Sequence, residues 1–202
     1  MFDGRFKTQI ERYVRPVGES LRRTGLSPDH FTLLGLCVAA ASAVAIGAGK
    51  MQLGLLLVIC SALPDLLDGA LAKASNSASQ RGAFFDSVVD RVSDSFLFGG
   101  VAWFYASSDT PQFSIVPFAI LGASLIISYE RAKAESLGLY AKGGLMERAE
   151  RIILLCFGLL FDSLLKWVMV VMLVLVVMTA VQRFAKVWKQ AAVAPVTAEK
   201  QA

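Results

Sequence analysis

The chain has 202 residues, 55% of them hydrophobic, and a mean hydropathy of +0.58. So apolar a chain of this length is not an ordinary soluble domain; it reads as an all-α, polytopic membrane protein in one domain. The formal net charge of +4 does not point to nucleic acid, because the basic residues flank apolar segments instead of forming one patch.

Residues 4–23 set Phe6, Ile10, Tyr13, Val14, Val17 and Leu21 among charges at close to a 3.6-residue period. That pattern predicts an amphipathic surface helix over 1–26. No apolar core lies near Met1, so the first span is expected to act as its own insertion signal. Ser27 and Pro28 then suit the cap and first turn of the next helix. Six transmembrane helices are expected near 30–48, 52–73, 83–106, 111–137, 148–163 and 165–188, within a domain spanning 27–190. The tail, 191–202, is poor in aromatic residues, contains Pro195 and is predicted to be disordered. Cys37, Cys60 and Cys156 lie in apolar stretches without ligand spacing and read as small lipid-buried residues. His30 reads as an interfacial residue at the start of the first span, and Trp103, Trp167 and Trp188 as interfacial anchors. Of the 20 basic residues only Lys50 and Lys166 fall on one side of this layout. The excess on the other side places both termini and the 73–82 loop in the cytoplasm of a cell-membrane protein.

The chemistry concentrates between Pro64 and Asp94. Asp65 and Asp68 are three apart, Asp86 and Asp90 four apart, and each pair shares one helix face. A helical hairpin joined by the polar stretch 75–81 would bring the four carboxylates to one end. Such a cluster repels itself unless cations neutralise it, and oxygen-only ligands favour Mg²⁺ or Mn²⁺. The bland alternative is a solvated helix end with the acids paired to Arg81 and Arg91. Five aspartates, Asp94 included, argue against that, since carboxylates at membrane depth are costly and face a functional interior. Gly69, Ala70, Ala72, Gly82 and Ala83 leave room for close backbone approach, by a neighbouring helix or by a nucleotide, and Lys73 adds a cation.

These residues resemble the signature of the CDP-alcohol phosphatidyltransferases, D-x2-D-G-x2-A-R-x8-G-x3-D-x3-D. Asp65, Asp68, Gly69, Ala72, Lys73, Gly82, Asp86 and Asp90 keep every interval. Lys73 stands where arginine is usual, which keeps the charge but not the bidentate fork. The resemblance implies transfer of a phosphatidyl group from CDP-diacylglycerol to an alcohol, with release of CMP, by a homodimer in the membrane. It assigns the metals to Asp65, Asp68, Asp86 and Asp90, and makes Asp90 the general base. Those two roles of Asp90 compete, because a carboxylate sharing its charge with a metal is a weaker base. The same resemblance gives Asp29, Gly69, Ala72, Lys73, Ser79 and Gly82 as contacts to the CDP-lipid.

The acceptor is read from 128–151, where S-Y-x-x-A-x-A-E-x-x-G-L and G-G-x-x-E-R-x-E-R resemble the actinobacterial phosphatidylinositol phosphate synthases. Ser128, Tyr129, Glu135, Gly143, Gly144, Glu147, Arg148 and Arg151 are among the matching letters. That likeness implies inositol phosphate as acceptor, its phosphate held by Lys133, Arg151 and Arg183. Any one of these cations is also explained by the positive-inside rule or by anionic lipid headgroups. Glycerol 3-phosphate is the alternative acceptor, since it too requires a cationic pocket. An intramembrane prenyl transferase and a cation carrier are the remaining readings of an aspartate-rich membrane protein.

Overall fold

The computed structural model describes residues 28–62, 80–141 and 143–192, and among them every regular element is helical. The expected amphipathic helix at 1–26 lies outside the described residues, as does the tail beyond 192. The chain divides into two units, Met1–Ser114 and Ile115–Ala202.

In the first unit α1 (Pro28–Gly47) opens on its proline, whose missing N–H would be unpaired in a first turn anyway. A short turn leads into α2 (Met51–Ala62). The buried Ser42 hydroxyl donates to the Gly54 carbonyl at 3.0 Å, tying the two helices together. Helix α3 (Gln80–Ala106) packs along α1 and buries Val89, Leu97, Phe98 and Val101 at helical spacing. It lies close against α1 at Gly100, where a Cβ would be 2.6 Å from the Ala43 carbonyl oxygen. That neighbour is backbone and has no rotamer to change. Gly100→Ala is therefore expected to destabilise the protein by about 1–3 kcal/mol, read as a lower thermal midpoint in detergent. Beyond α3 the Tyr105 ring packs edge-on against Phe113 of a short 3₁₀ turn, Pro111–Ser114, at 4.6 Å.

In the second unit α4 (Ile115–Ser136) and α5 (Arg148–Leu160) both pack on α6 (Leu165–Ala191). Helix α4 closes on Gly138, whose φ of 71° suits a residue without Cβ. The Leu139 N–H then reaches back to the Ala134 carbonyl at 2.8 Å, a Schellman-type end. The chain turns towards α5 through residues 139–147, and a one-turn 3₁₀ element, Asp162–Leu164, links α5 to α6.

Three segments, Asp29–Gly47, Pro111–Ser136 and Asp162–Ala191, are long and apolar enough to cross a bilayer, as in a membrane-integral protein. The other three expected spans differ for separate reasons. The second is described only as far as Ala62. The third, α3, has the length but carries Arg81, Asp86, Asp90, Arg91 and Asp94. The fifth, α5, has 13 residues and rises only about 20 Å, short of the ~30 Å hydrocarbon core.

Candidate active site

Of the four expected metal ligands the described residues include two, both on α3. Asp86 and Asp90 stand one helical turn apart, each partly exposed, while Asp94, a further turn on, is 4% exposed. Arg91 lies beside them, its Nη1 3.9 Å from an Asp90 oxygen and donating to the Ser87 carbonyl. A partly exposed pair at that distance stabilises little. Asp65, Asp68, Gly69, Ala72, Lys73 and Ser79 lie outside the described residues. Gly82 sits in the first turn of α3 and Asp29 in the first turn of α1, where a carboxylate is favoured by the helix dipole whatever else it does. Among the described residues no group of three metal-ligating side chains is gathered. The two described carboxylates fit the expected ion by donor type, being oxygen ligands on adjacent turns.

The second unit holds the three expected acceptor cations. Arg151 and Arg183 are each 4% exposed, whereas Lys133 is exposed on the last turn of α4. The Arg183 guanidinium donates from Nη1 to the Ile127 carbonyl of α4 at 3.0 Å. Its Nη2 donates to the Gly143 carbonyl at 3.0 Å and faces Glu147 Oε1 at 3.4 Å. Gly143 presents that carbonyl with φ at 93°, a conformation that side chains rarely adopt. Arg151 donates to the Met146 carbonyl at 3.4 Å. The charged groups acting electrostatically on Arg183 are Glu147, Arg131, Glu130 and Arg151, two of each sign. The structure thus brings Arg151 and Arg183 onto one loop, the segment between α4 and α5.

Several residues that hold this loop carry no assignment from sequence. Glu147 accepts the Gly143 N–H at 3.2 Å as well as facing Arg183. Thr179 accepts the Met146 N–H at 3.0 Å, and Gln190 pairs with both backbone groups of Tyr140. Thr179, Arg183, Lys186 and Gln190 recur at steps of four, three and four, a polar stripe along one face of an apolar helix. That stripe is the signal the sequence contained.

A family model described as CDP-alcohol phosphatidyltransferase matches residues 26–182. The chain belongs to that family. The resemblance read from the aspartate motif is therefore borne out, and this CDP-alcohol phosphatidyltransferase is an enzyme of phospholipid synthesis. It is 36% identical over 146 residues to a phosphatidylinositol phosphate synthase of Mycolicibacterium smegmatis, covering 71% of this chain and 66% of that protein. It is 34% identical over 190 residues to an archaetidylinositol phosphate synthase of Methanothermobacter thermautotrophicus, covering 92% and 93%. Among solved structures it resembles the phosphatidylinositol phosphate synthase of Mycobacterium tuberculosis. The form with CDP-DAG bound gives a TM-score of 0.83 at 34% identity over 95% of this chain and 99% of that one. The form in complex with manganese and citrate gives 0.83 at 33% identity, covering 94% and 93%.

Proposed function

We propose that this phosphatidyltransferase passes the phosphatidyl group of CDP-diacylglycerol to a hydroxyl of inositol phosphate, giving phosphatidylinositol phosphate and CMP. The observation that carries the acceptor is Arg183. Its guanidinium is 4% exposed, and its buried Nε has no hydrogen-bond partner among the described residues. A buried charge with a donor to spare is costly unless an anion completes it, and an acceptor phosphate is such an anion. Lys133 and Arg151 complete the cationic set in this reading. The phosphatidylinositol phosphate synthase and archaetidylinositol phosphate synthase relatives support it, as does the relative solved with CDP-DAG bound.

Asp65, Asp68, Asp86 and Asp90 would hold Mg²⁺ or Mn²⁺, a reading supported by the manganese-bound relative. When bound, the metal supplies charge neutralisation at the diphosphate and at the departing CMP. Asp29, Gly69, Ala72, Lys73, Ser79 and Gly82 position the nucleotide end of the donor lipid. Asp90 takes the proton from the acceptor hydroxyl as its oxygen bonds to the lipid-side phosphorus and the bond from that phosphorus to CMP breaks. In the same reading the enzyme is a homodimer in the cell membrane with both termini and the aspartates on the cytoplasmic side. Native mass spectrometry and reporter fusions at each terminus test those two points. Family membership sets aside the prenyl-transferase and cation-carrier readings.

The test is CMP release from CDP-diacylglycerol by the purified protein, with inositol phosphate, glycerol 3-phosphate or unphosphorylated inositol as acceptor. Inositol phosphate is expected to be preferred over glycerol 3-phosphate by about tenfold or more in kcat/KM. Unphosphorylated inositol is expected to be inert, and EDTA to abolish release until Mg²⁺ or Mn²⁺ is restored. Preference for glycerol 3-phosphate would overturn the acceptor reading.

A further inference from the structure

One face of α6 supplies several of the polar bonds that fix the segment between α4 and α5. Gln190 lies near the end of that helix. Its Oε1 accepts the Tyr140 N–H at 3.0 Å and its Nε2 donates to the Tyr140 carbonyl at 2.8 Å, so one side chain satisfies both backbone groups of a loop residue. Lys186 lies over the Tyr140 ring at 4.6 Å. Three turns before Gln190, the Thr179 hydroxyl donates to its own helix at the Leu175 carbonyl, 2.8 Å away, and accepts the Met146 N–H. The loop lies so close there that a Cβ on Gly144 would meet the Thr179 methyl at 2.6 Å. Between these two attachments Arg183 holds the Gly143 carbonyl, and just beyond them Arg151 holds the carbonyl of Met146. Backbone groups of this loop are thus satisfied by side chains of α6, together with Glu147 and Arg151.

We infer that Gln190 and Thr179 are positioning residues for the acceptor: they clasp residues 140 and 146 to α6 and so hold Arg151 and Arg183 in the geometry that receives the acceptor phosphate. This rests on the proposed acceptor reading and adds residues that neither touch substrate nor belong to the cationic set. Loosening either attachment lets the carbonyls that orient the two guanidinium groups drift, and a bidentate contact to phosphate is lost with small misplacement. These bonds join residues of the second unit only, and none involves a residue assigned to the donor lipid or the metal, so the penalty is expected on the acceptor.

The experiment compares wild type with Gln190→Ala, Thr179→Val and Thr179→Ser, measuring KM for each substrate, kcat, and amide hydrogen exchange of residues 139–146. Each of the first two variants is expected to raise KM for inositol phosphate about fivefold to tenfold, the loss of one or two hydrogen bonds. KM for CDP-diacylglycerol and kcat at saturating acceptor should stay within about twofold of wild type on the same ground. Exchange at Tyr140 should rise in Gln190→Ala and exchange at Met146 in Thr179→Val. Thr179→Ser, which keeps the hydroxyl, should restore the wild-type KM. Faster exchange with unchanged KM for inositol phosphate, or a loss spread equally over both substrates, would overturn the clasp while leaving the acceptor reading intact. A wild-type enzyme that ignores inositol phosphate would overturn the acceptor reading first, and the clasp with it.

Discussion

Asp90→Asn is expected to lower kcat by about a thousandfold while CDP-diacylglycerol still binds, because an amide can neither take the acceptor proton nor share a metal's charge. Asp90 stands on α3 one turn from Asp86, partly exposed, with Arg91 Nη1 3.9 Å away. The two roles proposed for it separate in a metal titration. If Asp86 serves only the metal, Asp86→Asn weakens metal affinity and recovers much of its activity at high Mn²⁺. If Asp90 is also the base, Asp90→Asn reaches saturation with metal at a kcat that stays low. Full recovery of Asp90→Asn at high metal would remove the general-base role and leave Asp90 a ligand alone. Arg91→Ala serves as the comparison. Its pair with Asp90 is 3.9 Å long and partly exposed, so a change within about threefold is expected.

Arg183→Ala carries the second large effect, and it has two components. The guanidinium donates to two backbone carbonyls at 3.0 Å and faces Glu147, so its removal leaves Ile127 and Gly143 without the donor they share. Hydrogen bonds to a charged group are worth about 1.5–3 kcal/mol each, and the thermal midpoint should fall accordingly. In the proposed role the acceptor phosphate also loses one of two buried cations, and KM for inositol phosphate should rise about a hundredfold or more. Arg183→Lys keeps the charge on a point donor that cannot serve both carbonyls at once. It is expected to lie between wild type and alanine in both measurements. A fall in thermal midpoint with no change in KM would make Arg183 a strap for the loop and end its acceptor role.

The aspartate motif was legible because its spacing is local. Steps of three and four residues define one helix face wherever the helix lies, and α3 places Asp86 and Asp90 on adjacent turns as that spacing requires. The helical class was legible in the same way, from apolar segments of membrane length. Counting spans was harder. A charged helix such as α3 and a 13-residue helix such as α5 do not meet the length and apolarity of a lone span, although each is helical where a span was expected. What decides whether such segments sit in a membrane is their neighbours, and neighbours are not written in any one segment.

The cationic residues show the limit most clearly. Sequence named Arg151 and Arg183 by resemblance and could equally attribute each to the positive-inside rule. Only the folded chain shows both almost wholly buried, with Arg183 joined to a carbonyl 56 positions away. Thr179, Gln190 and Glu147 went without a role for the same reason, since their partners lie in the loop and their meaning appears only when α6 packs beside it. Composition and short-range periodicity determined that this is a helical membrane protein with an aspartate motif, because both depend on residues within a turn or two of each other, and the motif's family resemblance added the enzyme class. Tertiary structure decided which cations are buried and what orients them, because that depends on long-range packing, where a side chain meets backbone groups far away in the chain.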